Sequence, residues 1–189
     1  TGGRFYGGWW QNIPREYRKH LVVNGKRMVE LDYSNQHPSI LYAQEGVARP
    51  ADCYSGGAEL LELSCGLNQK GFRKTVKAAF NAMLNSSKPL KQAPTGVNLK
   101  DFGFKWAELS NAIMLSHEPI AHHFHTGVGL KLQRLDSDIA EKILIHFALQ
   151  GIAALPLHDS FLMHDGYQEW LDPVMKVAFL EVVGVPPNI

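Results

Sequence analysis

Two aspartates stand where a phosphoryl-transfer site would need them. Asp32 closes the alternating segment Lys26–Asp32 (KRMVELD), which follows the turn signal Asn24-Gly25 and reads as a strand. Val29 and Leu31 would point one way, and Met28, Glu30 and Asp32 the other. Asp159 lies between two short apolar runs, Ile152–Leu157 and Ser160–Met163, the pattern of a hairpin with a carboxylate at its tip. Carboxylates on neighbouring strands can hold two divalent ions roughly 3.5–4 Å apart, one activating an attacking hydroxyl and both stabilising an in-line phosphoryl transition state. Oxygen ligands of this kind suit Mg²⁺, or Mn²⁺ in its place. Between the aspartates, Lys70, Arg73, Lys74 and Lys77 recur at three- and four-residue steps and so share one helix face. Such a face can take a triphosphate, and a Lys on it can stabilise or protonate leaving pyrophosphate. Each feature also has a plainer reading: a turn aspartate, a cap, a solvated helix face.

The elements that must position these residues are legible from periodicity. A helix is expected from His37 to Glu45, with Pro38 in its first turn and Gly46 as its stop. Lys70–Leu84 carries Val76, Ala79, Phe80 and Met83 at helical spacing. Ser86–Phe104 contains Pro89, Pro94, Gly96 and Gly103 and reads as a loop. Further helices are expected over Trp106–Ser116, over about Asp138–Leu149, and over Gln168–Val182. Thr1–Pro14, rich in Gly and aromatics, reads as an irregular arm.

The order of short motifs adds a resemblance. Thr1-Gly2-Gly3-Arg4, Gln11-Asn12-Ile13-Pro14, Arg18, Gly25 and Leu31-Asp32-Tyr33-Ser34 resemble, in order and spacing, the lead-in and first catalytic motif of the family A DNA polymerases. Arg73-Lys74-x-x-Lys77 is similar to that family's nucleotide-binding fingers motif. Leu157-His158-Asp159-Ser160 resembles its third motif and, in its His-Asp-Ser, that of the single-subunit phage-type RNA polymerases. The helix from Asp136 to Phe147 resembles the one preceding that motif, and the likeness runs from Arg4 to about Met163.

The resemblance implies an α+β fold: a polymerase palm with a small antiparallel sheet packed on helices, plus reduced helical fingers. The chain would be a single module, with palm at 1–50 and 106–189 and a fingers-like segment at about 51–105. It implies an enzyme, a nucleotidyltransferase extending a primer 3′-hydroxyl on a nucleic-acid template with nucleoside triphosphates and two Mg²⁺ or Mn²⁺ ions. Asp32, Asp159 and the Tyr33 carbonyl would be the metal ligands. Arg73 and Lys77 would bind the triphosphate, Lys77 nearest the leaving group, and Ser34, His37, Tyr33 and Asn81 would complete the nucleotide site. Arg4, Gln133 and His158 would meet template and primer.

Several positions depart from the family. His37 stands where a Glu usually crowds the ribose 2′-hydroxyl, and Asn81 and Asn85 replace large aromatics. The surface that stacks the templating base must then come from elsewhere, Phe80 being the nearest aromatic. Ser160 replaces the usual Glu. DNA synthesis is the first expectation. RNA synthesis, as in a primase or RNA polymerase, and an inactive polymerase-derived binding module are the alternatives; a nuclease lacks a further acidic cluster.

Bulk properties restrict the reading without deciding it. The 189 residues are 45% hydrophobic and 20% charged, ordinary for a globular chain. A net charge of +1 means that nucleic-acid binding must rest on local patches, with Arg15, Arg18 and Lys19 as phosphate contacts or solubilising charges. Cys53 and Cys65 form no C-x-x-C pair and read as free or buried thiols. No apolar run suits a membrane span, and no secretory pattern opens the chain, so a cytoplasmic location is expected. An opening on Thr1 suggests further domains upstream. His117, His122, His123 and His125 invite a zinc reading, but without a Cys partner or an H-x-x-x-H pair they read as surface or core histidines. Trp9, Trp10 and Trp106 read as packing anchors.

Overall fold

The computed structural model describes residues 5–55, 58–64, 66 and 68–187. Arg4 and Cys65 lie outside the described residues. The chain divides into two compact units, Thr1–Ile40 with Lys131–Ile189, and Leu41–Leu130. Helices and an antiparallel sheet together make it an α+β chain.

The first unit holds the sheet. Its strands are β1 (Val22–Val23), β2 (Lys26–Asp32), β3 (Leu155–Leu157) and β4 (Ser160–His164), in the order β1-β2-β4-β3 and antiparallel throughout. Asn24 and Gly25, both at positive φ (52° and 76°), turn the chain between β1 and β2, as the Asn-Gly pair demands. The register Met28↔His164, Glu30↔Leu162, Asp32↔Ser160 puts these residues on one sheet face, as the alternation of KRMVELD requires. Met28, Leu157 and Leu162 are buried there against Trp10, Leu21, Val23 and Leu155.

Short helix α1 (Arg15–Arg18) precedes β1, and α2 (Gln36–Gln44) follows β2. The second unit contains α3 (Ala58–Leu63), α4 (Gln69–Asn85) and α5 (Trp106–Ser116), then a 3₁₀ turn at Glu118–His123. Helix α6 (Gly129–Ala148) returns to the first unit, and α7 (Gln168–Val183) packs on β2 and β4. Leu171, Met175 and Phe179 of α7 are fully buried, and Gly184 at φ 89° ends it with its N–H on the Leu180 carbonyl, a left-handed cap.

Four expectations change. Helix α6 begins at Gly129, nine residues before the expected start at Asp138, because buried Leu132 and Asp136 extend the stripe of Ile139, Ile143 and Phe147 toward the N-terminus. The arm is not wholly irregular, since Trp9–Asn12 forms a 3₁₀ turn. Helices α1 and α3, of four and six residues, are too short to leave a periodic trace. Phe80 is fully buried, so it offers no surface to a templating base. Its ring packs edge-on against Tyr54, His117 and Phe124 at 5.6, 5.1 and 5.0 Å.

Candidate active site

Asp32 is the last residue of β2 and Asp159 the residue before β4, so antiparallel pairing brings them to one end of the sheet. Asp32 pairs with Ser160, and the Tyr33 N–H donates to the Asp159 carbonyl at 3.1 Å. Asp32 is exposed and Asp159 half-buried, so solvent reaches this end of the sheet. The β3–β4 connection is the two-residue turn His158-Asp159. His158 holds φ at +60°, a left-handed conformation that costs a non-glycine residue about 1 kcal/mol. Strain of this kind gathers at functional positions.

The residues beside the aspartates form a second layer. The Ser160 hydroxyl donates to Glu30 Oε1 at 2.9 Å, and the Arg18 guanidinium donates to the same oxygen at 3.2 Å. Arg18 Nε also donates to the Ile13 carbonyl at 3.0 Å. Trp10 Nε1 and Gln11 Nε2 both donate to the Pro156 carbonyl, at 2.9 and 3.1 Å. The Gln11–Pro14 segment and Arg18 thus lash the arm to β2 and β3, either side of the hairpin strand that follows Asp159.

Tyr33 divides its functions between ring and backbone. Its ring is buried, its hydroxyl donates to the Met175 carbonyl at 2.5 Å, and it tilts against Phe179. Burial pushes the phenol well above its ordinary pKa, so the group stays neutral. The ring belongs to the core, which leaves the Tyr33 backbone to face a ligand. Ser34 is exposed and takes a hydrogen bond from Asn35 Nδ2 at 3.1 Å. His37 Nε2 lies 2.8 Å from Asp136 Oδ2, with Asp136 almost fully buried. Asp136 also lines a small cleft with Phe5, Ser137, Ala140, Pro156 and His158. The His158 ring meets Tyr6 edge-on at 5.9 Å. Gln133 is half-buried on α6, and its carbonyl accepts from Ser137 Oγ at 3.1 Å.

In the second unit, Lys70, Arg73, Lys74 and Lys77 are all exposed on α4, whose N-cap Asn68 accepts from the Gly71 N–H. Arg73 is already engaged. Its Nε and an NH₂ group grip both oxygens of Asp52 at 2.6 and 2.9 Å, and the guanidinium lies 5.4 Å from the centre of the Tyr54 ring. Burial pushes the Asp52 carboxyl up, but the Arg73 fork, with the Ser55 hydroxyl and the Tyr54 N–H, outweighs it and holds the group below the usual carboxylate range. Lys77 Nζ lies 5.5 Å from the same ring. Asn81 is half-buried, and its carbonyl accepts from Asn85 Nδ2 at 2.8 Å.

Sequence reasoning missed Glu30, Asp52 and Asp136. For Asp136 a signal existed: a carboxylate in the apolar stripe Leu132, Ile139, Ile143 is buried, and a buried charge demands a partner. Nothing in the local sequence joins Asp52 to Arg73 or Glu30 to Ser160. An open groove on the first unit is lined by Arg15, Arg18, Lys19 and Arg27 together with Glu30 and Asp165, a local excess of positive charge on a molecule of net +1.

No protein-family model and no curated protein matches the chain. Among the described residues, no helix is long and apolar enough to cross a membrane.

Proposed function

We propose that this chain is the palm-bearing part of a template-directed nucleic-acid polymerase that transfers nucleotides to a primer 3′-hydroxyl. The observation that carries the reading is the pairing of β2 with β4, which sets Asp32 opposite Ser160 and ties Tyr33 to Asp159. Two carboxylates at one sheet end are an oxygen-only donor set, which fits Mg²⁺ or Mn²⁺. Such ions, held by Asp32 and Asp159, would supply Lewis-acid stabilisation of the phosphoryl transition state. The reaction joins the 3′-oxygen to the α-phosphorus and releases pyrophosphate. For its part the protein ties Ser160, next to Asp159, to Glu30 and Arg18 and fixes His37 on Asp136. Deoxynucleotides are the first expected substrates and ribonucleotides the alternative.

Primer extension tests this directly, with each triphosphate class and each metal. Asp32→Asn and Asp159→Asn should each lower extension by at least about 100-fold while melting as the parent does. Full extension by either variant would remove the assignment. A second reading has its own support: Arg73, expected on the triphosphate, is held bidentately by Asp52. A module that binds primer–template but does not extend it would give salt-sensitive binding with no metal-dependent product.

A further inference from the structure

Away from Asp32 and Asp159, three metal-ligating side chains converge on one point. Glu45 follows the end of α2, and its N–H still reaches back to the Leu41 carbonyl at 3.1 Å. Gly46 at φ 67° then turns the chain away. His122 and His123 close the 3₁₀ turn Glu118–His123. Buried Ile120 and Phe124 anchor that turn, and Thr126 Oγ1 donates to the His123 carbonyl at 2.6 Å. The two carriers are thus pinned by packing and by backbone hydrogen bonds.

His123 Nε2 lies 2.8 Å and His122 Nε2 3.2 Å from the same carboxylate oxygen, Glu45 Oε1. The ligand atoms of all three lie within 4.8 Å of one another, and the imidazole centroids are 4.1 Å apart. Satisfying that oxygen with two N–H donors requires two protonated Nε2 atoms side by side. With both Nε2 atoms as lone-pair donors, the three side chains offer ligand atoms close enough to share one cation. Two imidazoles and a carboxylate make a donor set of the open zinc type, three protein ligands with a position left over. Nitrogen donors also favour zinc-like ions over Mg²⁺. Glu45 and His122 are exposed and His123 half-buried, so an ion has a path in.

We propose that Glu45, His122 and His123 bind one divalent ion of the zinc class, with the remaining coordination open to water or to an incoming oxygen or nitrogen ligand. The site shares no residue with the Asp32–Asp159 pair and does not depend on the polymerase reading. It also departs from the surface-or-core expectation for these histidines, because the third ligand stands far away in sequence.

The test uses the full chain, stripped with a chelator and titrated with Zn²⁺ against a chromophoric competitor. Co²⁺ serves as a visible-spectrum probe of coordination. One equivalent should bind. The His122→Ala/His123→Ala double variant and the single Glu45→Gln variant should each weaken binding by at least about 10-fold. Asp32→Asn/Asp159→Asn should leave it unchanged. Zn²⁺ should raise the Tm of the parent, by mass action on the folded state, and leave that of the histidine variant unmoved. Glu45→Gln keeps the size and polarity of an exposed side chain, so its melting curve without metal guards against loss of fold. Absence of stoichiometric binding, or full affinity in either ligand variant, would overturn the proposal.

Discussion

Tyr33 is the residue on which the site turns. Its backbone touches Asp159 while its hydroxyl is spent on the Met175 carbonyl deep in the core. Tyr33→Phe should therefore cost about 1 kcal/mol of stability, read by urea denaturation, while extension per folded molecule is preserved. A larger fall in activity than in stability would return the ring to the site. His117 governs a second residue-level property. Its Nε2 donates to the Cys53 carbonyl at 2.8 Å, which leaves Nδ1 to accept from the Tyr42 hydroxyl at 2.9 Å. The ring is neutral, and burial lowers its pKa below the ordinary imidazole value. With the folded pKa below the unfolded one, the unfolded chain takes up the proton first as pH falls. The stabilisation is whole above the unfolded value, about 6.5, and drains away below it toward the folded pKa. Tm should drop between about pH 7.5 and about pH 5.5, and more steeply than in His117→Gln, which has no such proton to take up. Parallel curves for the two proteins would refute the assignment.

At the scale of elements, the hairpin β3–β4 carries its strain at the tip. His158 occupies a left-handed conformation in which a glycine would be at ease. His158→Gly should hold or raise Tm while lowering extension, because strain is removed together with a side chain beside Asp159. An unchanged extension rate would make His158 a turn residue and nothing more. The arm is the other element with a structural task. Two donors, Trp10 Nε1 and Gln11 Nε2, converge on the Pro156 carbonyl. Trp10→Phe with Gln11→Ala should leave that carbonyl without either and release the arm. Hydrogen exchange should then quicken over residues 9–13 and at the start of β3, where protection equal to the parent's would show that packing alone holds the arm.

For the whole molecule, a net charge of +1 gives nucleic acid no general attraction, so the proposed binding would depend on where the charges stand. Arg15, Lys19 and Arg27 line one groove, while Arg18 beside them is already paired with Glu30. Arg15→Ala, Lys19→Ala and Arg27→Ala together should weaken primer–template binding and reduce the slope of log K against log salt by about 2 to 3. Binding with an unaltered slope would move the contact surface to another face.

The periodic parts of this protein were legible in the sequence: β2 with its two faces, the basic face of α4, the His-Asp hairpin, α5 and α7. A period-2 or period-3.6 pattern is a local property, written into neighbouring residues by the need to bury one face. The motifs from Gln11 to Ser34 and from Leu157 to Ser160 single out Asp32 and Asp159 from sequence alone. What tertiary structure alone decided was partnership. Glu30 meets Ser160, Asp52 grips Arg73, Asp136 takes His37, and Glu45 joins His122 and His123. Each pair is separated by about 20 residues or more, and no periodicity spans such distances, because the chain between partners is held by packing rather than by pattern. The fate of Phe80 and of the Tyr33 ring follows the same rule. An aromatic type announces that a ring will be buried or will stack, and only the assembled core determines which.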